Sequence, residues 1–325
     1  MYLQHFGLNQ LPFNLTPDTE FFCDLPTHRE ALNVLLIALQ SGEGFIKITG
    51  PVGAGKTLLC RKLLNELPSP YTTAYIPNPH LNPAALHHAI AEELDIPCPI
   101  NCGQSRTLAL INDFLLKAAK RGDKIVLIID EAQAMPLETL ETLRLLTNLE
   151  TEKQKLLQIV LFGQSELDLV LQNKSIRQLH QRITFSYELK PLNRSQVKAY
   201  LLHRLRVAGN SHTDLLTPLS ISALHFYSQG IPRLLNILAN KALLCAYGKG
   251  QSRINGRHVQ LAAHDTDSTR IRWQIAGLRK LLLWLLMESV RLALRRQVLQ
   301  PLLLTLRQQI LLFQPSLASL VRVKP

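Results

Sequence analysis

The run Gly50-Pro51-Val52-Gly53-Ala54-Gly55-Lys56-Thr57 has the residue types and spacing that hold a triphosphate. Phosphate oxygens carry dense negative charge and must be met at close range by backbone N–H groups. The bare Cα atoms of Gly50, Gly53 and Gly55 allow that approach without side-chain clash. Lys56 would reach the β and γ phosphates, and the Thr57 hydroxyl would ligate Mg²⁺. Leu58 carries the chain into a helix whose positive end faces the anion. A second pair, Asp130 and Glu131, ends the apolar run 125–129. Such a run delivers carboxylates to the carboxyl end of a central strand, beside the loop. There Asp130 would hold the metal through water, and Glu131 would polarise the attacking water as general base. The two motifs together predict binding of Mg-ATP and its hydrolysis to ADP and phosphate.

Phosphoryl transfer also needs charge stabilisation from beyond the loop. Gln164, following the apolar segment 158–162, is placed between the two motifs as a polar reader of the γ-phosphate. Arg182 stands just before the segment 184–189, at a domain edge from which it would reach a neighbour's nucleotide, with Arg177 as its rival. Arg233, in Gly230-Ile231-Pro232-Arg233, opens a helix that would close onto the phosphates.

These residues can act only if strand, glycine loop and helix follow one another. The patterning predicts strands over 45–49, 72–76, 125–130, 158–162 and 184–189, and helices over 28–40, 58–67, 84–94, 107–121 and 137–149. Short apolar strands alternating with helices predict an α/β fold, a P-loop αβα sandwich with a five-stranded parallel sheet, over residues 1–190. Its first 30 residues, rich in turn residues and aromatics, would wrap over it. Beyond Pro191 only helical spacing is found, which predicts a small all-helical lid domain over 191–265. A Leu- and Arg-rich helical tail over 266–325 completes the chain.

The 325 residues carry a formal charge of +12, but +9 of it sits between Arg270 and the C-terminus, leaving +3 for the rest. Any electrostatic partner is therefore expected at the tail. There Glu288, Arg291 and Arg295 share one helical face and Leu283, Leu286, Val290 and Leu294 the opposite one. Such a helix suits an anionic membrane surface, a groove on a partner, or packing against the lid. Five scattered cysteines fit a reducing compartment and no paired metal or disulfide framework. No basic-then-apolar leader opens the sequence, and no apolar run is long enough to span a bilayer, so a cytoplasmic protein is expected.

The chain resembles the AAA+ ATPases related to general secretion pathway protein A. The resemblance covers residues 1 to about 265 and rests on several stretches besides the glycine loop. They are Phe6-Gly7-Leu8, Pro12-Phe13 and Pro17-Asp18; Thr27-His28-Arg29-Glu30-Ala31-Leu32; Asp130-Glu131-Ala132-Gln133; Leu161-Phe162-Gly163-Gln164; Gln181-Arg182-Ile183; and Gly230-Ile231-Pro232-Arg233. It implies that Gln164 is the sensor 1 residue, Arg182 the arginine finger and Arg233 the sensor 2 arginine. It also implies a homo-oligomer, ring-like when ATP is bound, that helps assemble an envelope-spanning machine, with pilus or secretion proteins as partners and a location peripheral to the inner membrane. Secretion-type members carry a membrane span and a peptidoglycan-binding domain after the ATPase. Neither can be read here, which favours a shorter, pilus-type member, although the tail is not expected of that type. Two other readings compete. A nucleic-acid-associated ATPase of the transposition-helper or origin-recognition type would use the basic tail on phosphates, but its arginines alternate with leucines rather than stacking aromatics. A nucleotide-gated scaffold would bind ATP without turnover.

Overall fold

The computed structural model describes residues 2–99, 102–150, 155–210 and 213–269. From residue 270 on, the tail, including the amphipathic face expected there, lies outside the described residues. Helix α1 (Tyr2–His5) opens the chain, and α2 (Pro26–Gln40) leads to β1 (Phe45–Thr49). Then come α3 (Lys56–Glu66), β2 (Tyr71–Ile76), α4 (Pro83–Glu93), α5 (Gln104–Arg121) and β3 (Lys124–Ile129). A 3-10 turn at Ala132–Ala134 precedes α6 (Leu137–Leu146). The segment closes with β4 (Leu157–Gly163), α7 (Glu166–Leu171), α8 (Arg177–Arg182) and β5 (Ile183–Glu188). The remaining helices are α9 (Arg194–Val207), α10 (Pro218–Ser228), α11 (Pro232–Gly248) and α12 (Gly256–His264).

All five strands pair in parallel, in the order β2-β3-β4-β1-β5. Every residue of β1 and β4 is buried, as expected of central strands covered on both faces. The alternation of side chains sorts the strands into two cores. Leu127, Ile129, Ile159 and Leu161 face Ile90, Leu115 and Leu140 on one side. Ile46, Ile48, Val126, Ile128, Val160 and Phe162 face Leu35, Leu59 and Leu63 on the other. Each fully buried Leu or Ile here contributes about 1.5–3 kcal/mol. Helix α6 is shorter than the sequence pattern suggests, stopping at Leu146 with Thr147 as its cap, because the chain turns there toward an antiparallel bridge between Glu150 and Lys155.

The helical segment begins where chemistry requires it. The Asn193 side chain accepts from the Gln196 amide while the Gln196 side chain accepts from the Asn193 amide, a reciprocal cap that starts α9. Thr217 caps α10, with Pro218 behind it, and Pro232 starts α11. Its core holds a feature that periodicity did not reveal. Phe6, Leu8, Phe13, Phe21 and Leu25 are buried among Leu201, Leu205, Leu224, Leu235 and Leu243, so most of the opening segment's apolar residues join the helical core, while Phe22 packs on the sheet side and Pro17 accepts from Arg61 of α3. The aromatics supply apolar area that the four lid helices alone would leave facing water. Among the described residues, no helix is long and apolar enough to cross a membrane, and no group of three or more His, Cys, Asp or Glu could hold a metal.

The entry to the helical segment is held by a close backbone contact within it. Gly230 has φ +73°, its carbonyl accepts from the Leu192 N–H at 2.9 Å, and a Cβ on it would lie 2.0 Å from the Leu192 carbonyl oxygen. Gly230→Ala is therefore expected to lower unfolding free energy by more than ~1 kcal/mol, since both the conformation and the contact exclude a methyl. Urea denaturation read by circular dichroism checks this; an unchanged midpoint would show that the contact yields without strain.

Candidate functional site

The carboxyl ends of β3, β4 and β1 lie side by side, and each emits one part of the site. Thr49 at the end of β1 runs into the glycine loop, Ile129 at the end of β3 into Asp130 and Glu131, and Gly163 at the end of β4 into Gln164. Loop residues Val52, Gly53, Gly55, Lys56, Thr57 and Leu58, together with Glu131 and Arg233, line one cavity of about 290 Å³. A larger groove of about 880 Å³ beside α9 and the start of α10 lacks a glycine loop facing a carboxylate, so volume alone does not select the site.

Lys56 is buried, and its ammonium donates to the carbonyls of Gly50 at 2.8 Å and Pro51 at 3.0 Å. Burial lowers its pKa, while the carboxylates of Glu131 and Asp130 work in the opposite direction. The Thr57 hydroxyl donates to Asp130 Oδ2 at 2.7 Å, and the Glu131 N–H donates to Asp130 Oδ1 at 2.9 Å. Burial pushes the Asp130 pKa up despite those two donors. A hydroxyl and a buried carboxylate in contact form an all-oxygen donor pair of the kind a hard divalent cation takes. Glu131 behaves differently. Burial again opposes its charge, but side-chain hydrogen bonds from Gln133 and Gln164 and the nearby Lys56 outweigh it, and its pKa falls below the ordinary value. The site thus holds one carboxylate whose charge is disfavoured until compensated and one whose charge is already supported.

Among the remaining expected residues, Gln164 donates its side-chain amide to Glu131 Oε2 at 3.1 Å. Arg233 lies in the first turn of α11, and its N–H donates to the Gly53 carbonyl at 3.1 Å, which ties the helix to the loop. Pro51 is a partner of Lys56, and Ala54 accepts from the ring Nε2–H of the buried His28 at 3.2 Å. Arg182 is not brought to the cavity. Its guanidinium donates to the Arg144 carbonyl at 3.1 Å and Thr147 Oγ1 at 3.0 Å, at the C-terminus of α6. Its rival Arg177 opens α8 and is exposed.

Several residues at the site carried no sequence signal of their own. Gln133 bonds Glu131, yet in the sequence it stands only as the last residue of the stretch Asp130-Glu131-Ala132-Gln133. The cavity wall opposite the loop is built from Asn14 to Asp18, Tyr200, Arg204 and Asn236. Arg204 is buried and donates to the carbonyls of Pro12 at 2.5 Å and Asn14 at 3.3 Å and to the Tyr200 hydroxyl at 3.2 Å. It also lies 4.6 Å from the centre of the Phe21 ring. The bonds to Pro12 and Asn14 join positions about 190 residues apart, which no local pattern exposes.

Residues 39–171 match the family model of the AAA domain. The chain is similar to General secretion pathway protein A of Aeromonas hydrophila, with 43% identity over 270 residues, 83% of this chain and 49% of that protein. It therefore spans about half the length of that relative. Among solved structures it is similar to Cdc6p from Pyrobaculum aerophilum, at a TM-score of 0.60 and 22% identity over 76% of this chain and 70% of that one. The Aeropyrum pernix ORC2 protein gives a TM-score of 0.58 and 17% identity over 78% of this chain and 72% of that one. The fold is the α/β P-loop AAA fold with a helical C-terminal region.

The loop's fit to α11 is testable. Gly53 has φ +79°, and a Cβ there would lie 2.6 Å from Arg233 Cβ and 3.3 Å from Ile231 Cγ2. Gly53→Ala would carry about 1–3 kcal/mol of local strain, so nucleotide affinity is expected to fall roughly tenfold or more. Titration with a fluorescent ATP analogue measures it, and an unaltered Kd would mean that the loop does not depend on this contact.

Proposed function

We propose that this AAA domain protein binds Mg-ATP in the cavity between glycine loop and α11 and hydrolyses it to ADP and phosphate. The observation that carries the reading is the contact of Thr57 Oγ1 with Asp130 Oδ2 at 2.7 Å, with Lys56 and Glu131 on the same cavity. Loop amides would receive the β and γ phosphates, and the Lys56 ammonium would exchange the Gly50 and Pro51 carbonyls for phosphate oxygens. Thr57 and Asp130 would hold Mg²⁺, which supplies charge neutralisation and polarisation of the phosphoryl oxygens. Glu131, kept as the carboxylate, takes the proton from the attacking water. Arg233, on the cavity, stabilises the charge that develops on the transferred group, which leaves as phosphate, and Gln164 would have to turn its amide from Glu131 Oε2 to do the same.

The catalytic unit we propose is a homo-oligomer in which an arginine from one subunit completes the site of the next. For Arg182 to serve, it must leave the α6 carbonyl and Thr147, whereas Arg177 is already exposed. Similarity to General secretion pathway protein A supports a role in assembling an envelope machine, a secretion system or an MSHA-like type IV pilus. Work at the cytoplasmic face of the inner membrane, with the basic tail against anionic lipid or a membrane protein, accords with that role.

Lys56→Ala should weaken Mg-ATP binding roughly 10- to 100-fold, the equivalent of a charge-assisted hydrogen bond. Glu131→Gln should keep nucleotide affinity while lowering kcat roughly 100-fold or more. Turnover per subunit should rise with protein concentration if a neighbour completes the site. Full affinity in Lys56→Ala would overturn the binding site, and undiminished turnover in Glu131→Gln would overturn the assignment of the base.

A further inference from the structure

The general base assigned above does not stand alone. Glu131 has φ +51° and ψ +39°, a left-handed conformation unusual for a residue with a side chain, and the 3-10 turn Ala132–Ala134 follows at once. This reversal folds Gln133 back on the residue two positions before it. The Gln133 Nε2 amide then donates to Glu131 Oε2 at 2.6 Å. The other end of the same side chain faces a different strand, where Gln133 Oε1 accepts from the backbone N–H of Gln164 at 2.9 Å. A backbone N–H can only donate, so Oε1 must be the end that faces it, and the network itself fixes which end of the amide meets Glu131. Gln164 adds its own side-chain amide to the same oxygen, Oε2, at 3.1 Å. Both donors therefore occupy one carboxylate oxygen. Among the described residues, no hydrogen bond is made to Oε1, and Glu131 itself lines the nucleotide cavity.

We propose that Gln133 is a positioning residue: it clamps Glu131 Oε2, leaves Oε1 aimed at the attacking water, and ties the base to the chain of Gln164. The proposal rests on the reading of Glu131 as the general base. Gln133 does not line the cavity, so it acts through Glu131 and not on the nucleotide. An untethered carboxylate explores several rotamers about its terminal torsions, and one held by two amides on a single oxygen does not. The bond to the Gln164 N–H gives the clamp an anchor just beyond the end of β4, independent of the turn that carries Glu131. It also means that a displacement of the backbone at Gln164 moves the base with it.

Two substitutions separate this role from simple support of the fold. Gln133→Leu keeps the size and removes both hydrogen bonds. Gln133→Glu keeps an acceptor for the Gln164 N–H but sets a carboxylate against Glu131. If Gln133 aims the base, each lowers kcat roughly 10- to 100-fold, as loss of an orienting partner does, with the Kd for Mg-ATP within about twofold of the parent protein. In a Glu131→Gln background, measured by single turnover with enzyme in excess, Gln133→Leu should cost less than about twofold, since two residues acting as one unit are not additive. Parental kcat in Gln133→Glu would overturn the proposal by leaving only a brace for Gln164. Full additivity with Glu131→Gln, or loss of Mg-ATP affinity equal to the loss of kcat, would overturn it as well by assigning Gln133 a general structural role. An unsubstituted protein that turns over beside a Gln133→Leu variant of equal kcat removes the clamp alone. An unsubstituted protein with no turnover at any concentration removes the base, and the clamp with it.

Discussion

Parallel pairing of β3, β4 and β1 is the constraint on which the site depends. The glycine loop, the pair Asp130–Glu131 and Gln164 are emitted from three strands separated in sequence by tens of residues. They meet because the three strands run in the same direction and stop at one edge. A register shift of one residue would turn Val126, Ile128, Val160 and Phe162 into the opposite core and withdraw the carboxylates from the loop. The two apolar cores that fix the register are therefore as much a part of the chemistry as Lys56 or Glu131. Their almost complete burial makes such a slip prohibitively unfavourable, because it would move every one of those side chains at once.

On that frame the site holds charges that the protein compensates only in part. The ammonium of Lys56 is buried against two carbonyls, and the carboxyl of Asp130 against a hydroxyl and an amide. Burial shifts both groups toward their neutral forms. On the proposed reading, a phosphate facing the first and a cation facing the second would supply what these groups lack, so binding energy would come from relieving desolvation already present in the fold. Glu131 is exempt, because its charge is sustained by amides that belong to the protein. Ligand-dependent groups bind, and the ligand-independent group is the one suited to taking a proton.

What the sequence makes legible follows the range of the interactions involved. The glycine loop, the apolar run before Asp130 and the strand before Gln164 are local patterns with local physical causes, and the parallel sheet follows from their alternation. The opposite wall of the cavity is not legible in that way. Tyr200, Arg204 and Asn236 sit on helices of the lid, Asn14 to Asp18 belong to the opening segment, and no periodicity relates them. The aromatics of the opening segment signal burial, but not against which core. Gln133 fails for a different reason, since its role depends on a left-handed turn at Glu131 that residue types alone do not specify. Arg182 shows the converse case, in which a residue prominent in sequence spends its guanidinium on a helix C-terminus.

The junction of loop and lid completes the logic. Helix α11 begins at Pro232 with Ile231 as its cap residue, and no side chain bonds its first amides. Helix starts leave such donors unsatisfied, and here the Gly53 carbonyl takes the one on Arg233. The glycine loop thus acts as the cap of the helix whose arginine lines the cavity. A loop that shifts to receive a ligand necessarily disturbs that cap, and a helix that moves with it carries Asn236, whose side chain accepts from Tyr200, which in turn accepts from Arg204. Arg204 holds the carbonyls of Pro12 and Asn14, so the chain of contacts returns to the opposite wall of the same cavity. Loop, lid and opening segment are thus linked in one path of contacts that begins and ends on the walls of the same cavity.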